Sequence, residues 1–82
     1  IGGQRYFECS LTKKGFSYYL KHHDWEIKPI DSQITIDYPL KKEGQKTFSS
    51  GEYYKESQKN GGHITLVYLP EEERLFMEAS TR

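Results

Sequence analysis

Three histidines (His22, His23 and His63), one cysteine (Cys9), and twelve acidic and twelve basic residues are the groups through which this 82-residue chain could do chemistry. The least demanding reaction open to such a set is metal-independent cleavage of RNA. It needs a general base, a general acid and a cation for the phosphate. His63 beside Gly61-Gly62, Glu56 as its acid–base partner and Arg74 as the cation make the candidate catalytic set. Glu52, Glu78 and Arg82 are further groups of the same types. No spacing sets these residues apart from the polar complement of any small domain. A small, toxin-like ribonuclease is therefore the alternative reading, and the chain leans away from being an enzyme.

Other chemistry fares worse. His63-Ile64-Thr65 has the His-x-Thr form in which two histidines act as base and acid on a phosphoester, but neither His22 nor His23 is followed by a second copy. For a metal, His22, His23, Asp24 and Cys9 are the nearest thing to a ligand set. Adjacent side chains point to opposite sides of a strand and about 100° apart on a helix, so they do not converge on one ion. The histidines read as the solvated end of an element, and neither metal nor cofactor is expected. Cys9 falls on the apolar side of its segment, whereas a reactive thiol needs exposure and a lowered pKa.

Binding is the leading expectation. Basic and aromatic residues interleave near the start of the chain: Arg5, Tyr6, Phe7, Lys13, Lys14, Phe16, Tyr18, Tyr19 and Lys21. Aromatics beside cations are how single-stranded RNA is held. A net charge of zero gives no global electrostatic case for nucleic acid or an anionic membrane. Seven tyrosines in so short a chain instead fit a protein interface, which favours that residue. Tyr18, Tyr19, Tyr53, Tyr54 and Tyr68 cannot all be buried in a core this thin. The expectation is a non-catalytic interaction domain with a protein partner. Tyr18, Tyr19, Tyr53, Tyr54, Lys13, Lys14 and Lys21 are its candidate binding residues. RNA is the second choice of partner, and no membrane or small-molecule cofactor is implied.

The elements that would position these residues are strands for the most part. Residues 5–11 alternate, with Phe7, Cys9 and Leu11 on one side and Glu8 and Ser10 on the other, as a half-buried strand does. Residues 12–15 are a turn or a helix start. Over 16–23 the stripe Phe16, Tyr19, Leu20, His23 favours a helix capped by Thr12, although Phe16, Tyr18 and Leu20 would also suit a strand. Trp25 and Ile27 predict a short strand broken by Pro29. Ile34, Ile36, Tyr38 and Leu40 predict a strand on the sheet's edge, since Pro39 lacks an N–H, and residues 41–46 around Gly44 an exposed loop. Ser49-Ser50-Gly51-Glu52 has capping-box spacing, and Asn60-Gly61 supplies a stop, so a short helix is expected over 50–59. The clearest element is a hairpin, 63–69 with 74–79, turning at Pro70 and placing Ile64, Leu66 and Tyr68 on one face.

Together these make a small α+β, strand-rich domain: a mostly antiparallel sheet of about four to six short strands with one or two short helices. Residues 1–82 are too few for two domains. A lone cysteine excludes an internal disulfide framework and points to a reducing, cytoplasmic setting. No apolar run approaches the length of a membrane span, and no signal peptide is visible. The chain begins at Ile1 and not Met, which fits a processed piece of a longer protein.

Overall fold

The computed structural model describes residues 3–37, 44–59 and 61–81. In chain order these form β1 (Gly3–Ser10), α1 (Lys13–His23), β2 (Lys28–Pro29), β3 (Ile34–Asp37), β4 (Gln45–Phe48), β5 (Glu52–Ser57), β6 (His63–Leu69) and β7 (Arg74–Thr81). Five strands make one antiparallel sheet in the order β1-β7-β6-β5-β2, and β3 and β4 pair as a separate ribbon. The α+β class and the antiparallel sheet follow the expectation.

The sheet is covered on both faces, and that explains its sequence. Strand parity sends alternate residues to opposite sides. On the helix face, Leu66, Tyr68 and Leu75 pack with Phe16 of α1, and Cys9, Leu11, Tyr19, Leu20, Trp25, Tyr54 and Met77 close around them. On the ribbon face, Val67 and Phe76 pack with Ile36 and Phe48, flanked by Tyr6, Ile34 and Tyr53. β6 lies between both layers, so Leu66, Val67 and Tyr68 are all buried in succession. Ile64, Leu66 and Tyr68 do share one face, as the hairpin predicts, and β7 runs two residues further than expected.

α1 is the helix that the 16–23 stripe favours, started one turn earlier. Thr12 caps it, its side chain accepting from the Gly15 N–H at 3.0 Å. The Glu73 carboxylate accepts from the Lys13 N–H at 3.1 Å, at the end where a negative charge is favourable. Asp24 ends the helix in the left-handed region (φ 54°), its N–H bonded to the Leu20 carbonyl. The helix covers only part of its face, so Phe7 stays 45% exposed although Cys9 and Leu11 pack inward.

Three local expectations are corrected. Residues 52–57 form a strand, not a helix. Gly51 at φ +115° cannot start a helix, and an extended chain lets Tyr53 serve the ribbon-face cluster while Tyr54 serves the helix-face one. Trp25 and Ile27 belong to the connector after α1, and strand pairing begins at Lys28, with Pro29 on the sheet's edge where its missing N–H costs nothing. Residues 45–46, expected in a loop, open β4, because Phe48 is pulled into the core opposite Ile34. Tyr38, Pro39, Leu40, Lys41, Lys42, Asn60 and Arg82 lie outside the described residues.

Candidate functional site

Two surfaces carry the candidate residues. The first is built by α1, the connector that follows it and β5. Residues 14, 18 and 21 recur at i, i+4 and i+7, so Lys14, Tyr18 and Lys21 form the outward stripe of α1, opposite Phe16. Tyr18 is 67% exposed and meets His22, one turn on, edge to face at 4.5 Å. Beside this stripe runs a continuous ladder of rings. Tyr19 meets His23 at 4.4 Å, His23 stacks on Trp25 at 4.5 Å, and Trp25 stacks on Tyr54 at 4.9 Å. Tyr54 donates to Glu56 Oε1 at 2.7 Å, which fixes the far end. That bond, then burial and the Glu56 charge, raises the Tyr54 hydroxyl above its ordinary value. Burial, then Cys9, does the same for Tyr19.

Rings packed on one another in this way are ordered by their own contacts, which would lower the entropic cost of any binding that used them. The stacking also uses up ring faces. His23 lies between Tyr19 and Trp25, and Trp25 between His23 and Tyr54. Single-stranded bases bind by stacking on free aromatic faces. Of the expected binding residues, Tyr18, Tyr19, Tyr54, Lys14 and Lys21 gather here, and Lys13 sits in the first turn of α1. Tyr53 does not join them, since it turns to the ribbon face. His22 and His23 lie at the exposed end of α1, as expected, and in addition meet the rings of Tyr18 and Tyr19, whereas Trp25, expected in a strand, lies in the connector. The 18/22 and 19/23 spacings were a usable signal, since i,i+4 side chains meet on a helix. Nothing in the sequence marked Trp25 as their neighbour.

The second surface surrounds His63. Its Nε2 lies 2.9 Å from Glu78 Oε2, and Glu78 is only 3% exposed while the imidazole is 38% exposed. Lys55 and Glu78 flank Thr65 on the two neighbouring strands, and Ser57 pairs with His63, so these five share the ribbon face. With Thr35 of β3 they line a cleft of about 430 Å³ at one end of the two sheets. The ribonuclease set is not assembled there. Arg74 pairs with Leu69, six residues from the Ser80 that faces His63, about 20 Å along the strand. Its guanidinium binds Glu8 Oε2 at 3.0–3.1 Å and the Ser10 hydroxyl at 3.3 Å. Glu56 has the opposite strand parity to His63, so its side chain is on the helix face, bonded to Tyr54. The partner that His63 does have is Glu78. A lone acid within Leu75-Phe76-Met77-Glu78-Ala79 was the signal for a buried, paired carboxylate.

Among the described residues, no three His, Cys, Asp or Glu side chains gather as a metal site, and no helix is long and apolar enough to cross a membrane. No protein-family model, curated protein or solved structure matches the chain.

Proposed function

We propose that the domain is a non-catalytic interaction module that binds a protein partner through the outward stripe of α1 and the ring ladder beside it. The observation that carries this reading is the exposed Tyr18, set between Lys14 and Lys21 and next to a ladder whose rings are already stacked on one another. A large amphipathic ring on a rigid element is the usual anchor of a protein interface. Protein is favoured over single-stranded RNA because the ladder's ring faces are taken internally. Basic charge is also modest here: Asp24 and Glu26 follow the helix directly.

The test is capture of partners from a nuclease-treated lysate, followed by amine-reactive cross-linking and mapping. The reading expects cross-links from Lys14 and Lys21 to a captured protein, lost together with capture in Tyr18→Ala. Cross-links confined to Lys46, Lys55 or Lys59, on β4, β5 and the turn after β5, would overturn it.

A further inference from the structure

We propose that the cleft at His63 is a second binding site, separate from the α1 surface, and that it takes a phosphate group. The floor of the cleft holds two cross-strand rows on the ribbon face, Lys55-Thr65-Glu78 and Ser57-His63, and Thr35 forms part of its wall. Its volume, about 430 Å³, lies within the range of small-molecule sites.

Glu78 explains how the imidazole is presented. A carboxylate this deeply buried needs a partner, and His63 Nε2 at 2.9 Å supplies it. That contact pins the ring and leaves Nδ1 as its second polar atom. Because Glu78 is 3% exposed and His63 is 38% exposed, the imidazole offers an entering ligand far more surface than the acid does. A phosphate above the ring is then met by the side of the imidazole turned away from Glu78. Lys55 is the diagonal cross-strand neighbour of His63, a separation that a lysine side chain spans. The Ser57 and Thr35 hydroxyls line the same space.

The strand edge adds donors. Gln58 N–H bonds to the Gly62 carbonyl, and Ile30 N–H to the Gly51 carbonyl, which fixes the hydrogen-bonding parity on both sides of β5. Glu52, Tyr54 and Glu56 therefore point their backbone groups to β6, while Lys55 and Ser57 point theirs outward. β2 pairs only as far as Tyr53, so the Lys55 and Ser57 N–H groups are turned to the open rim of the cleft. An ammonium, an imidazole, hydroxyls and outward N–H groups form a set that suits phosphate oxygens. Glu56, the other acid at this rim, has its carboxylate on the opposite face, accepting from Tyr54.

The experiment is an amide-resolved NMR titration of the domain with inorganic phosphate and, separately, with adenosine monophosphate, each up to about 20 mM, since single-group contacts give weak affinities. Saturating shifts at Lys55, Ser57, His63 and Thr65 are expected with both. A nucleotide that saturates roughly tenfold earlier makes a small phosphorylated molecule the ligand, and equal affinity makes it free phosphate. Lys55→Gln, at an exposed position, and His63→Gln, which keeps a donor for Glu78, should each weaken binding about fivefold or more with the remaining spectrum unchanged. Absence of saturating shifts, shifts centred on Lys13, Lys14 and Lys21, or unaltered affinity in both variants would overturn the proposal.

Discussion

At the scale of single residues, Tyr68 shows how one side chain ties the layers together. Its ring stacks on Phe16 at 4.0 Å, and its hydroxyl donates to the Leu11 carbonyl at 2.6 Å, so it joins β6 to the start of α1. Tyr68→Phe keeps the ring and orphans that carbonyl, and should cost about 1–2 kcal/mol in urea unfolding at neutral pH. Alkaline pH gives a second readout. Burial first, then Glu73 and Glu52, raises the Tyr68 hydroxyl above the ordinary 10.0. As pH rises past 10.0 the unfolded chain releases this proton while the folded chain still holds it, so stability is full below that pH and falls through the folded pKa. Tyr19 and Tyr54 act in the same direction. Tyr68→Phe should therefore show a shallower alkaline loss, by one proton, without abolishing it. An unchanged slope would mean that Tyr68 is not the buried phenol described. The apolar character of Leu66 and Tyr68 was legible from alternation alone. The hydroxyl's partner, 57 residues away, was not, because no local pattern encodes a contact of that range.

Among the elements, β5 is the sharpest case. Ser49 and Glu52, at its entry, have capping-box spacing and satisfy a local rule for helix starts, and the sheet overrides it. β6 needs a partner on its open side, and Tyr53 and Tyr54 can reach two different cores only from an extended backbone. Amide exchange should distinguish the two forms. The Glu52, Tyr54 and Glu56 amides, bonded to β6, should exchange slowly, and the Lys55 and Ser57 amides, at the open edge, quickly. A helix would instead protect consecutive amides. Gly51 tests the same junction. A Cβ there would lie 2.8 Å from a Leu69 methyl and 2.9 Å from the Tyr68 carbonyl, at φ +115°. Gly51→Ala should lower stability by about 1–3 kcal/mol, and a neutral result would place this turn elsewhere. α1 and the β6–β7 hairpin were readable because periodicity and turn chemistry agree with the tertiary structure. β4 was not, since Gln45-Lys46-Thr47 carries no apolar pattern and only Phe48 is buried.

Across the whole molecule, the sheet separates two surfaces, with the ring ladder on the helix side and the His63 cleft on the ribbon side. The candidate binding residues of α1 were legible as an interleaving of basic and aromatic residues, and the helix period then sets Lys14, Tyr18 and Lys21 on one stripe. The cleft was not, because strands β3, β5, β6 and β7 bring its residues together only in the folded chain. Charge distribution sets an expectation for RNA. Four phosphate contacts from Arg5, Lys13, Lys14 and Lys21 would cost roughly 50-fold in affinity between about 50 and 200 mM salt. A protein docked on rings should lose far less, because apolar burial is not screened. Fluorescence anisotropy with a single-stranded RNA is expected to show only weak binding that vanishes across that range.

Whether Tyr18 anchors a protein-binding surface on α1 is decided by one comparison. The dissociation constant of the captured protein partner is measured against the wild-type domain and against Tyr18→Ala at the same salt. Because Tyr18 is 67% exposed, the substitution should leave folding intact. Affinity weakened at least about tenfold, near 1.4 kcal/mol, is expected. Equal affinity for both proteins, with the variant folded, would contradict it.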